Sequence, residues 1–310
     1  MLHPRENHDL YGHSELELQF IKASQSGKLH HAWILTGEQG IGKATYAYHA
    51  AKFLLSSAKA NLNKLSDGWD EQVVSKVHAL SHPDLYAIES DHEIKGSGDI
   101  KIDAVRELSQ FCNMTPVLAK YKVVIIDSIN DLNVHSSNAI LKQLEEPHPS
   151  TIFLLVCHSL GSLLPTIRSR CRLAKFNILK QPDFLKALEN QNVHIEDNLY
   201  EICHGSLYLA KMLARDNNFH LYNEVYDLLS GKFDLQEKTK LIHKLADEKL
   251  WNLTGNLIEL ILFKIAKEHK NLPTQTFKLL ERAKRLLYNS NRFHLDRIQT
   301  LTLISQNSYV

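Results

Sequence analysis

Two regimes of apolar patterning divide the chain. Up to about residue 178, short apolar runs alternate with stretches of helical spacing; from about 180 onward almost only helical periodicity remains. Leu16, Leu18, Phe20 and Ile21 among polar residues predict an amphipathic helix over 14–26. The run His31-Ala32-Trp33-Ile34-Leu35-Thr36, closed by Gly37, predicts a buried strand, and the Ala-rich stretch 43–57 a helix. Residues 58–80 are polar and poorly patterned. A turn at His82-Pro83-Asp84 leads into a strand through Leu85-Tyr86-Ala87-Ile88, and Gly96-Ser97-Gly98 reads as a loop. Val105 and Leu108 give helical spacing from Ile102 to Phe111. The β-branched run Lys122–Ile126, ending at Asp127, predicts a buried parallel strand. A helix over 134–146 is stopped by Pro147, Thr151–Cys157 is another buried strand, and Cys171–Phe176 a last edge strand. Farther on, Phe277, Leu280, Ala283 and Leu287 form one apolar stripe, and Leu295, Ile298 and Leu301 another.

Strands alternating with helices predict a parallel sheet covered on both faces. The change near 180, Gln181-Pro182 and the Asn/His-rich stretch 216–220 then suggest an α/β domain over 1–178, a small helical domain over 179–216 and a larger helical domain over 217–310. A length of 310 residues agrees with two or three domains at ~100–200 residues each.

Charge narrows the classes of function. Lys and Arg number 36 against 35 Asp and Glu, which argues against a chain gripping nucleic acid along its whole surface. Arg282, Lys284, Arg285 and Arg292 make a local basic cluster, for which a solvated face is the commoner explanation. No apolar stretch reaches the ~18 residues of a membrane span, and the N-terminus lacks the apolar core of a secretory signal, so the expected compartment is the cytoplasm, with no membrane partner. Cys112, Cys157, Cys171 and Cys203 form no C-x-x-C pair, and the eighteen histidines are scattered, so no metal site is expected.

Gly37-Glu38-Gln39-Gly40-Ile41-Gly42-Lys43 fits G-x-x-x-x-G-K, after a strand and before a helix. Glycines let backbone N–H groups wrap phosphates, Lys43 reaches them, and the helix N-terminus adds its positive end. The alternative is a plain glycine turn. The next position calls for a Ser or Thr hydroxyl on Mg²⁺, and here stands Ala44; Thr45 lies about 100° further round the helix and does not easily substitute. Val123–Asp127 resembles a Walker B strand with Asp127 as the metal-supporting acid, although Asp127 could equally cap the segment that follows.

The most specific signal is Asn138-Ala139-Ile140-Leu141-Lys142-Gln143-Leu144-Glu145-Glu146-Pro147, followed by Leu164-Pro165-Thr166-Ile167-Arg168-Ser169-Arg170-Cys171. The first resembles the N-A-L-L-K-x-L-E-E-P motif of bacterial clamp-loader subunits of the AAA+ type, and the second contains their Ser-Arg-Cys. His31-Ala32-Trp33 and His82-Pro83-Asp84 resemble the delta-prime branch of that family in particular. These motifs cover residues 31–171; beyond them only the helical character matches.

The resemblance implies an AAA+ P-loop core with a parallel sheet, a helical lid and an all-α collar. It implies a place in the DNA polymerase III clamp loader, beside gamma/tau and delta subunits, acting on the beta sliding clamp and primed DNA through the complex. It also implies that Arg170 is an arginine finger reaching a neighbour's ATP. Arg suits that task, since its charge is permanent and its planar fork matches phosphate oxygens; a surface ion pair is the bland alternative, and Arg168 the nearest competitor. Against the family pattern, Ser128 stands where hydrolysing AAA+ proteins carry Glu. Cys157-His158-Ser159 occupies the polar sensor region, and Tyr208 after Gly205-Ser206 replaces the lid's sensor Arg. The four-cysteine zinc module is missing from 51–90, so no zinc is expected.

Gly37, Gly40, Gly42, Lys43, Thr45 and Asp127 are therefore expected to form a degenerate site, one that holds ATP or ADP, if at all, without hydrolysing it. The alternative within the family is a working gamma/tau-like ATPase, for which 310 residues leave no tau-type extension. A small-molecule kinase finds no supporting motif. The apolar run Leu257–Phe263 fits either intersubunit packing or an internal core.

Overall fold

The computed structural model describes residues 3–57, 62–89, 102–193, 196, 198–215, 218–268, 273–293 and 295–306. Among these, residues 3–187 pack as one compact unit and 188–306 as another. The expected loop at Gly96-Ser97-Gly98 lies outside the described residues.

Five strands form the first unit's sheet: β1 (Ala32–Thr36), β2 (Leu85–Glu89), β3 (Lys122–Asp127), β4 (Thr151–Cys157) and β5 (Arg172–Lys175). Their order is β2-β3-β4-β1-β5 and every neighbouring pair is parallel, the parallel sheet expected of this chain. Successive residues of a strand point to opposite faces. Trp33, Leu35, Val123, Ile125, Leu154 and Val156 thus join one core with α1 (Ser14–Gln25), α2 (Lys43–Leu55) and α3 (Glu71–His78). Ala32, Ile34, Val124, Ile126, Phe153 and Leu155 join another with α4 (Ile102–Asn113), α5 (Val134–Glu145) and α6 (Pro165–Arg168). With both faces covered, the central strands have no solvent side, which is why they read as unbroken apolar runs. Each fully buried aliphatic side chain contributes about 1.5–3 kcal/mol.

Two polar anchors shape this unit. Asp84, fully buried, accepts hydrogen bonds from the backbone N–H groups of Val117 and Leu118 at 2.7 Å and of Ala119 at 2.9 Å. The His82-Pro83-Asp84 turn therefore ties the entry of β2 to the loop before β3. Burial works against the Asp84 charge, but these three donors and His82 outweigh it and hold the carboxyl below its usual range. Lys122 is buried at the start of β3 and donates to the carbonyls of Phe111 and Met114, its ammonium lying 3.9 Å from the Phe111 ring centroid.

Among its described residues, the polar stretch 58–80 holds a 3-10 turn at Leu65–Gly68 and then α3, capped by the Asp70 carboxylate accepting from Gln72 N at 2.8 Å. Residues 58–61 lie outside the described residues. Val77 of α3 is buried and Val73, one turn earlier, packs partly buried beside it, so the apolar face of this helix is a single i, i+4 step.

Gln181-Pro182 opens α7 (Gln181–Glu189), within which the packing division falls. The second unit is helical: α8 (Leu199–Cys203), α9 (Leu207–Ala214), α10 (His220–Leu229), α11 (Leu235–Leu245), α12 (Glu248–Glu268), α13 (Pro273–Phe293) and α14 (Arg297–Ser305). Leu280, Ala283 and Leu287 are buried as their spacing predicts, while the side chain of Phe277 lies outside the described residues. The second stripe needs correction. Leu295 is 48% exposed and precedes the Asp296 cap of α14, so it lies off the helix; the buried face is Thr300, Leu301, Ile304 and Ser305. Of the Leu257–Phe263 run, Leu257, Ile258, Ile261 and Leu262 are buried within the unit and Phe263 is 37% exposed. Arg282, Lys284 and Arg285 are exposed, Lys284 paired with Glu259 at 3.3 Å; the Arg292 side chain lies outside the described residues.

Candidate nucleotide loop and arginine site

The loop 37–42 leaves the end of β1 and runs directly into α2, so its backbone N–H groups meet a helix N-terminus, where anions are favoured. Gly42 caps α2 with φ 98°, a left-handed conformation that side chains resist. Gly37 runs so close to the chain beyond β5 that a Cβ there would meet the Phe176 carbonyl oxygen at 2.6 Å. Gly40 lies between them, also at positive φ.

Lys43, 3% exposed, folds its ammonium onto this loop, donating to the carbonyls of Gly37 at 2.7 Å and of Glu38. Burial lowers its pKa to about 8, opposed by the nearby Asp127, Cys157 and Glu38. Gly37, Lys43 and Asp127 thus share one neighbourhood at the carboxyl ends of the strands, where ligands of open α/β sheets sit.

Thr45 is turned to other use. It is buried, and its Oγ1 accepts a hydrogen bond from the Asn7 side-chain amide at 3.4 Å. The segment 3–13 lies along α2 and the loop: His13 Nε2 is 2.8 Å from the Ile41 carbonyl oxygen, His49 Nε2 2.9 Å from that of Asn7, and Lys52 Nζ donates to Arg5 O at 2.7 Å.

Asp127 ends β3 in register with Glu89 of β2 and Val156 of β4. Glu89, which sequence patterning did not single out, accepts from the Tyr48 hydroxyl at 2.5 Å and pairs with Arg5 at 3.2 Å. Its one legible trait is its place directly after the strand predicted to end at Ile88. Ser128, only 1% exposed, donates from Oγ to Asp131 Oδ2 at 2.8 Å and closes the turn after β3. Asn130, also missed, joins that turn to the loop after β4. Its Oδ1 accepts from His158 N at 2.7 Å, and its Nδ2 donates to Ser159 O at 2.9 Å and Ser162 Oγ at 2.8 Å. In the second unit Ser206 caps α9 by accepting from Leu209 N, and Tyr208 occupies the first turn of that helix.

Arg170 stands apart from these groups. It lies between α6 and β5, where its Nη2 is 2.8 Å from Glu145 Oε1, the last residue of α5. Its Nη1 donates to Thr166 O at 2.9 Å and Ser169 Oγ at 3.3 Å. The two motifs singled out in the sequence therefore meet through an ion pair. β5 begins opposite Trp33 and ends opposite Thr36, so Arg170 precedes the start of the β1–β5 pair while the glycine loop follows its end. At about 3.3 Å per residue that separation is on the order of 10–15 Å.

A family model described as DNA polymerase III, delta subunit, matches residues 12–180, more than half of the chain. The DNA polymerase III subunit delta' of Pseudomonas aeruginosa is 38% identical over 141 residues, 46% of this chain and 41% of that protein. The DNA polymerase III subunit gamma of Buchnera aphidicola (subspecies Acyrthosiphon pisum) is 26% identical over 265 residues, 83% of this chain and 68% of that protein. The chain spans less than half the length of three of the first four curated relatives it matches, at 41%, 43% and 45%, and 68% of the other. A crystal structure of a gamma subunit-related protein from Thermotoga maritima aligns over 95% of this chain and 98% of its own, at 18% identity and a TM-score of 0.46. A family match spanning the glycine loop, the strands and both clamp-loader motifs makes the chain a member of the DNA polymerase III delta-subunit family.

Proposed function

We propose that this chain is a delta-prime-like subunit of the DNA polymerase III clamp loader that lends Arg170 to a neighbouring subunit's ATP and hydrolyses none itself. It works in a ring with gamma/tau and delta subunits in the cytoplasm, and through that complex it acts on the beta sliding clamp and primed DNA. Residues 1–178 form the AAA+ core, 179–216 the lid and 217–310 the collar joining the other subunits.

One observation carries this proposal: Arg170 and the chain's own glycine loop stand at opposite ends of the β1–β5 pair. An arginine so far from its own loop cannot stabilise a phosphate held there, and its charge serves a partner's phosphates instead. The local chemistry of the loop agrees. Ala44 has no hydroxyl for a metal, Thr45 is engaged by Asn7, and Ser128 is buried against Asp131. Gly37, Gly40, Gly42, Lys43 and Asp127 keep the shape of a nucleotide site, so ATP or ADP binding without turnover is the part retained.

The test is ATP turnover by the purified chain alone and by the chain mixed with its gamma/tau and delta partners, the beta clamp and primed DNA. Turnover only in the mixture is expected; vigorous turnover by the lone chain overturns the proposal. The gamma relative, which matches more of this chain than the delta' relative does, favours a working gamma/tau-like ATPase as the second possibility. Turnover by the lone chain that Lys43→Ala abolishes selects it.

A further inference from the structure

We infer that Glu145 is a positioning residue that holds the Arg170 guanidinium ready for the neighbouring subunit's ATP. The inference rests on the finger role proposed above for Arg170. It comes from the ion pair itself, Arg170 Nη2 to Glu145 Oε1 at 2.8 Å, with Nη1 on the Thr166 carbonyl and the Ser169 hydroxyl.

An arginine on a surface loop samples many rotamers, and each must be given up before its fork meets a phosphate. Here that ordering is done in advance. Glu145 is the last residue of α5, where the helix's negative end adds to the carboxylate in attracting the cation. Thr166 and Ser169, on the α6 side, take the other terminal nitrogen. Two elements thus grip one fork, and the α5 end is kept in place by Ile140 and Leu144, both buried in the sheet's second core. The Arg170 and Glu145 side chains remain 35% and 47% exposed, so the guanidinium is held at the surface and not buried.

This exposure separates positioning from folding. A half-exposed ion pair contributes little to stability, so removing the carboxylate leaves the fold intact while freeing the fork. The experiment uses the reconstituted complex with clamp and primed DNA, comparing wild type, Arg170→Ala, Glu145→Gln, Glu145→Ala and the double variant Glu145→Ala/Arg170→Ala. We expect Glu145→Ala to lower kcat roughly tenfold with KM for ATP unchanged, as misplacement of a reacting group does. Glu145→Gln, which keeps an acceptor oxygen, recovers part of that loss, and the double variant is no slower than Arg170→Ala. Wild-type kcat in both Glu145 variants beside an impaired Arg170→Ala overturns the inference and leaves the finger standing. A further loss in the double variant also overturns it, since Glu145 then acts without Arg170. No effect of Arg170→Ala removes the finger itself, and this inference with it.

Discussion

Single side chains decide how this core is held. Asp84 receives three backbone N–H groups from the loop before β3. Asp84→Ala removes all three bonds; Val117 and Leu118 are largely exposed, so water reaches their N–H groups, and a total loss of about 1–3 kcal/mol in urea unfolding is expected. The pH dependence has a definite sign. With the folded carboxyl held below its usual range, its contribution is complete above the unfolded carboxylate pKa of about 3.9 and is lost as pH falls through the folded value. Wild type therefore loses stability in acid more steeply than Asp84→Ala. Lys43 has the same sign in an alkaline window. Its pKa is lowered to about 8, so between that value and the ordinary lysine value of about 10.4 the unfolded chain binds more protons and stability rises with pH. Lys43→Met shrinks the rise between pH 8 and 10 without abolishing it, because Lys52 is lowered to about 8 as well.

Elements show which parts of the fold sequence patterning could reach. Strands covered on both faces announce themselves as apolar runs, and Ala32–Thr36, Lys122–Asp127 and Thr151–Cys157 fall where their composition puts them. The glycine loop was legible because positive backbone φ and close backbone approach call for glycine at 37, 40 and 42. α3 was not, because its apolar face is one short i, i+4 step, Val73 and Val77, within a polar stretch. Leu295 misled for a related reason: spacing alone does not reveal that Asp296 starts the helix one residue later. Tertiary polar links such as Glu89 with Tyr48 and Arg5, Asn130 with the 158–162 loop, or Glu145 with Arg170 join residues distant in sequence, and no local pattern encodes them. Asn130→Ala tests one such link. It frees His158 N and Ser159 O together, so backbone amides over 158–162 should exchange faster with solvent while those of β3 and β4 keep their protection.

At the scale of the whole molecule, the proposed roles fall on two compact units. The sheet-bearing unit carries every residue proposed to face phosphate, its own or a neighbour's, and the helical unit offers exposed Tyr288, Phe293, Leu295 and Leu303 beyond its own core. Near-neutral charge agrees with a subunit that meets DNA as part of an assembly and not over its whole surface. On the proposed reading, Ala44→Ser alone is expected to give the isolated chain no turnover in an ATPase assay, because Ser128 still stands where the family pattern has a Glu. The central claim is that this subunit supplies an arginine and no hydrolysis. The most direct measurement is ATP turnover of the reconstituted complex, with primed DNA and clamp, built with wild-type chain or with Arg170→Ala. A loss on the order of 10³-fold at the neighbouring site is predicted, with the lone chain inactive throughout. Equal turnover in the two complexes contradicts the account.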